Sequence, residues 1–205
     1  ITLTSGATIM ASATPVRLRN GFVISTGSNF RAYTPTTLVL DGVISGSAPD
    51  SALTLVDNGI LRLNGINTYS GVTNLNAGII SVSNLGDTVN GGNLGTNGDI
   101  RFAGGTLRYT GGDVTTSRRI VQGGVGTLDL VDPNVTFTFN GVTSGGSSGR
   151  FLTKTGRGTL VLGGSTDNSG GRFAINMGTM VLNKNSTGSV HAIGASGNTD
   201  IGLRM

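Results

Sequence analysis

The chain has 205 residues, a formal charge of +4, 36 glycines, no cysteine and no tryptophan, and its ten acidic residues are all aspartate. Only Lys154 and Lys184 represent lysine, so Glu and Lys, two strong helix formers, are nearly missing, and the abundant Thr, Val, Ile, Gly, Asn and Ser suit strands joined by tight turns. A charged share of 12% beside 36% hydrophobic residues excludes disorder driven by charge, and no apolar run approaches the ~18 residues of a membrane-spanning helix.

The positive balance does not read as a nucleic-acid footprint. The arginines stand singly, apart from Arg17/Arg19 and Arg118-Arg119, with aspartates between them. Phosphate binding asks for a concentrated basic stripe with aromatic partners. Arginine that keeps outward strand faces soluble is the simpler reading. Absence of cysteine fits an exported chain that avoids thiols. The missing initiator Met and a repeat running up to the last residues suggest a segment of something longer.

Along the chain, short strands are expected at 22–24 and 38–40, and then a glycine-led motif takes over. It occupies 59–63, 78–82, 105–109, 126–130, 158–162 and 178–182, with further short strands at 100–102 and 135–139 between copies. Its third and fifth positions are large and apolar: Leu61/Leu63, Ile80/Val82, Leu107/Tyr109, Leu128/Leu130, Leu160/Leu162 and Met180/Leu182. The position between them varies among Arg, Ser, Asp and Val, the period-two pattern of a strand with one face buried. The leading glycine is expected to supply a positive φ at a sharp corner.

A longer repeat contains these units. Residues 42–71 and 141–170, 99 positions apart, share 12 identities without a gap, and with one insertion the match extends to copies at 42–82 and 141–182. Recurrence of a whole unit at about twenty-residue steps favours stacked turns over an antiparallel sandwich. The expectation is therefore all-β: a right-handed parallel β-helix, a solenoid of about ten rungs with occasional protruding loops. Residues 1–205 would form one β-helical segment, on the order of 50 Å long at ~4.8 Å per rung.

The later copy reads Phe151-Leu-Thr-Lys-Thr-Gly-Arg-Gly-Thr-Leu-Val-Leu-Gly-Gly164, and the earlier one supplies Asn67-Thr-Tyr-Ser-Gly71 and Asn76-Ala-Gly-Ile-Ile80. This text resembles the autotransporter-associated β-strand repeat, whose members read Leu-Thr-Lys-x-Gly-x-Gly-x-Leu-x-Leu-x-Gly, then Asn-Thr-Tyr-x-Gly, then Asn-Ala-Gly-x-Leu. The later copy departs from it at Asn168, where the tyrosine belongs. The resemblance implies a secreted or surface-exposed bacterial protein, associated with the outer membrane through regions outside this segment, whose repeats form a β-helical stalk.

Chemistry is harder to find. Parallel β-helices include polysaccharide lyases and hydrolases, which need paired carboxylates or Asp-bound calcium. Asp129 and Asp132 are the near pair, and a solvent-facing strand position and a turn before Pro133 account for them. The single histidine, His191, completes neither a triad nor a multi-histidine metal site. Gly123–Asp129 and Gly163–Asp167 only begin a calcium nonapeptide. Tyr69 and Tyr109 read as turn and interior residues, and Asn76 and Asn176 as hydrogen-bonding along the rod axis. No catalytic, cofactor-binding or metal residue is assigned. The expected function is a non-enzymatic surface stalk or filament-forming segment. The alternatives are an adhesin binding other surface proteins or glycans through loops at 87–98 and 163–171, or a glycan-cleaving enzyme. Open strand edges predict end-to-end self-association.

Overall fold

The computed structural model describes residues 1–4, 6–12, 15–25, 28–46, 52–86, 91–96, 98–147, 149–168, 170–184, 192–193 and, for the backbone, 203–204. Among them the regular structure is all strand. The strands wind into a three-faced rod. The first face stacks seven strands: Thr8–Ala11, Asn29–Ala32, Leu53–Leu55, Thr73–Leu75, Ile100–Phe102, Ile120–Gln122 and Thr143–Ser144. The second stacks nine: Val16–Leu18, Thr37–Leu40, Ile60–Leu63, Ile79–Val82, Thr106–Tyr109, Gly126–Leu130, Leu152–Thr155, Phe173–Ile175 and Leu203–Arg204. The third face is in two pieces, Thr2–Leu3, Phe22–Ile24 and Ile44–Ser45, then Val114–Thr116, Thr136–Phe139, Thr159–Leu162 and Thr179–Leu182.

Every named strand pairing is parallel. An isolated bridge between Asn67 and Gly92 is antiparallel. Against about ten rungs expected, the described residues place seven strands on the first face and nine on the second. Some intervals between glycine-led strands are occupied by strands of other faces rather than by further rungs.

Register follows from the alternation. On the second face Leu38, Leu61, Ile80, Leu107 and Leu128 stand one above another, all buried. Leu40, Leu63, Val82, Tyr109 and Leu130 form a second inward column of buried side chains. Each such aliphatic residue contributes roughly 1.5–3 kcal/mol by burial, and conformational entropy offsets most of it. Burial is completed only by the turns above and below, so one turn cannot stand alone. Between the two pieces of the third face the chain runs irregularly, and buried Tyr69, Leu85 and Leu94 fill the position of strand residues.

The two sequence copies do not sit on the same faces. In the earlier copy Leu53–Leu55 lies on the first face and Ile60–Leu63 on the second; in the later copy Leu152–Thr155 lies on the second and Thr159–Leu162 on the third. The repeat distance therefore equals four turns plus one face. The six glycine-led strands split accordingly, with four on the second face and two on the third.

Positive φ explains only part of the leading glycines. Gly78 (φ 60°) and Gly178 (φ 76°) fit that expectation. At Gly59 a Cβ would lie 2.3 Å from the Ala32 carbonyl oxygen, and at Gly126 it would lie 2.6 Å from the Phe102 side chain. There the requirement is close approach to the turn beneath.

Candidate functional site

Among the described residues the accessible grooves lie at faces and corners of the rod. One kind of corner occurs twice. In the earlier copy the chain leaves Leu53–Leu55, turns through 56–59 and enters Ile60–Leu63, directly above the turn 33–36. In the later copy it leaves Leu152–Thr155, turns through 156–158 and enters Thr159–Leu162, above the turn 131–135. A groove lies at each.

The first groove, open to solvent, has a volume of about 420 Å³ between Tyr33, Thr34, Val56, Asp57 and Asn58. Arg31 donates from Nε to Asp57 Oδ2 at 2.9 Å and from a terminal nitrogen to Oδ1 at 3.0 Å. The same guanidinium lies 5.5 Å from the centre of the Tyr33 ring, which is 41% exposed. The second groove encloses about 460 Å³, with Arg108, Asp129, Val131, Pro133, Arg157 and Met177 on its walls. Arg108 Nε donates to Asp129 Oδ2 at 2.8 Å, while Val131 and Met177 are 47% and 53% exposed.

Scattered in sequence, the charges meet across turns. Besides the two pairs above, Arg17 bonds Asp41, and Arg119 approaches Asp99 at 3.5 Å. The Arg17 hydrogen bond, aided by Asn64, holds the Asp41 carboxyl below the usual carboxylate range. Exposed pairs of this kind add little stability, but they reduce the isolated positive charge that nucleic acid would read.

Inside the rod, polar side chains close the corners where strand pairing stops. Asn67 Oδ1 accepts from the Ile44 amide at 2.7 Å and its Nδ2 donates to the Asn93 carbonyl at 2.6 Å. Asn168 repeats the arrangement, accepting from the Thr143 amide at 2.9 Å and donating to the Ala192 carbonyl at 2.8 Å. Arg118, buried, donates to the carbonyls of Gly86, Leu94, Gly95 and Gly98, tying down the irregular stretch of the third face. Gln122 spans two turns, giving a hydrogen bond to the Arg172 carbonyl and receiving one from its amide.

Lys154 takes the next place in the column above Leu128, fully buried. Its ammonium reaches back to the carbonyls of Thr155, Gly156 and Met177 at 3.0, 2.7 and 2.9 Å. Lys184 bonds the carbonyls of Thr166 and Gly141 at 2.6 and 3.2 Å. Burial lowers the pKa of both lysines, against the opposing pull of Asp129 and Asp167 respectively. Burial also pushes the Tyr69 hydroxyl, 2.7 Å from Thr73 Oγ1, up to about 12.

Some sequence-derived assignments change and others do not. Asp129 is engaged by Arg108, and Asp132 accepts from the Asn134 amide at 2.9 Å in a turn. Of the loop expected to protrude at 87–98, residues 91–95 and 98 are buried, while residues 87–90 and 97 lie outside the described residues. At 163–171, residues 165 and 166 are exposed while Asn168 points into the core. Asn76 and Asn176 are exposed at turns; the axial hydrogen bonds come from Asn67, Asn93 and Asn168 instead. His191, Asp50, Asp87 and Asp200 lie outside the described residues. Tyr69 and Tyr109 are interior. Among the described residues no group of three His, Cys, Asp or Glu side chains gathers. The grooves were missed because Arg31 and Asp57 are 26 residues apart in sequence, and only the length of a turn brings them together.

Residues 53–82 and 152–182 match the passenger-associated-transport repeat. The chain is 32% identical over 171 residues, 78% of its length, to the adhesin BmaC autotransporter of Brucella suis biovar 1 (strain 1330). It spans 5% of that relative's length. No solved structure matches the chain. The chain thus carries two repeats of an autotransporter-associated β-repeat family, at the positions where the corners recur.

Proposed function

We propose that this chain, built on two passenger-associated-transport repeats, is a non-enzymatic stalk segment of a bacterial surface passenger. The observation that carries this reading is the continuous parallel stack. Each turn satisfies its backbone hydrogen bonds and its apolar column on the turn beneath, which adds length without enclosing a reaction site. Similarity to an autotransporter adhesin supports display outside the outer membrane. Fusing the chain ahead of an outer-membrane β-barrel tests the proposal. Intact cells should expose it to added protease, and the purified chain should release no product from acidic polysaccharides in calcium buffer. Retention inside the cell, or cleavage of a polysaccharide, would contradict the reading.

An adhesive role is the second reading, favoured by the relative's name and by the two recurring grooves. A third property belongs to the isolated segment. The strand Thr179–Leu182 is the last of its stack among the described residues, with Val181 and Leu182 exposed at 40% and 47%, and end-to-end association through such edges is part of the proposal. Sedimentation that is independent of concentration would refute that association.

A further inference from the structure

We propose that the two corner grooves are repeated saccharide subsites, the second of them selective for an acidic sugar. The inference deepens the adhesive reading by naming its surface and its ligand class.

At the first corner the Tyr33 ring carries the Arg31 guanidinium over one face and, 41% exposed, offers its remaining apolar surface to the C–H side of a pyranose. Beside it the Arg31–Asp57 pair presents a flat array. Its two mutual hydrogen bonds use two of the five guanidinium donors, leaving three donors and further carboxylate lone pairs. Adjacent sugar hydroxyls both donate and accept, so they match such an array. The volume of about 420 Å³ falls in the range of small-ligand sites.

The second corner builds the same combination from different residues. Val131, Pro133 and Met177 replace the aromatic wall, and Arg108–Asp129 replaces Arg31–Asp57. Sequence copying does not account for this, because Asp57 and Asn58 of the earlier copy correspond to Gly156 and Arg157 of the later one. Arg157 is exposed and makes no ion pair among the described residues. Its guanidinium adds a free cation that a sugar carboxylate can pair with bidentately. Four turns separate the corners, about 19 Å along the rod, and they face outward one-third of a circuit apart. One oligosaccharide wrapping the rod, or two strands of a glycan coat, would gain by occupying both.

The test uses the purified 205-residue chain with two probes: hyaluronan oligosaccharides, which carry carboxylates, and neutral chitooligosaccharides. Both should bind by calorimetry. Tyr33→Ala should weaken each at least tenfold, Arg157→Ala should weaken hyaluronan tenfold and leave the neutral probe unchanged, and Asn76→Ala should change neither. Far-UV circular dichroism verifies that each variant keeps its β signal. The proposal is overturned if neither probe binds at millimolar concentration, or if Tyr33→Ala and Arg157→Ala bind both probes like the parent. Failure here would leave the surface-display result standing, since that assay involves no glycan.

Discussion

The earlier and later repeats, residues 53–82 and 152–182, spell one motif and solve its packing differently. Leu55 of the first corresponds to Lys154 of the second, and both are completely buried. Leu55 fills its place with hydrocarbon. Lys154 lays its stem along the same kind of column and spends its ammonium on three corner carbonyls. Gly178 leaves the room: a Cβ there would lie 2.5 Å from the lysine Nζ. The repeats also occupy different faces. The motif therefore encodes a strand, a corner and a strand, and not a fixed direction around the rod.

If that comparison holds, the apolar site should be the more sensitive. Leu55→Ala should cost about 2–5 kcal/mol, the range for a large-to-small change in a packed core, measured by urea unfolding. The corner asparagines come next. Asn67→Ala and Asn168→Ala each strip a buried amide of its partner, and each should cost about 1–3 kcal/mol; a large inequality between them would show that the corners are not equivalent.

Lys154→Met should cost less than about 2 kcal/mol, because relief of desolvation offsets the three lost hydrogen bonds. Its pH dependence is more telling. Burial puts the folded pKa of Lys154 below its unfolded value of 10.5, so the unfolded chain binds more protons between the two. Stability of the parent should rise with pH across that window, and Lys154→Met should lose part of the rise. The smallest effect is expected at Tyr69→Phe, about 1 kcal/mol at neutral pH for one hydrogen bond. Since Tyr69 keeps its proton up to about 12 when folded and about 10 when unfolded, the parent should lose stability as pH rises from 10 to 12. Tyr69→Phe should flatten that decline.

Much of the rod was legible in sequence because alternation reports burial directly. Leu61/Leu63, Ile80/Val82 and Leu107/Tyr109 all point inward as read. At the last glycine-led strand the reading weakens: Leu182 is 47% exposed, Thr179–Leu182 is the last strand of its stack among the described residues, and alternation does not say whether a further turn covers a strand. The face assignment was hidden because a strand motif carries no mark of direction. The grooves were hidden for a related reason: Arg31 pairs with Asp57 and Arg108 with Asp129 only after one turn of chain has been spent. Axial hydrogen bonds were expected from Asn76 and Asn176, which are exposed at turns; they come from the buried Asn67 and Asn168, because repetition in sequence does not report which way a side chain faces.

The absence of native cysteine makes one cross-linking measurement decisive. Thr138 and Val161 are register partners on the third face, whereas Asp129 pairs with Thr155 on the second. Stacking of the glycine-led strands in simple sequence order would instead set Asp129 beside Val161. Neighbouring strands at ~4.8 Å bring paired Cα atoms within disulfide range. Under mild oxidation, Thr138→Cys with Val161→Cys should form an intramolecular disulfide, seen by mass spectrometry, and Asp129→Cys with Val161→Cys should not. The reverse outcome would contradict a rod whose repeats advance by four turns and one face.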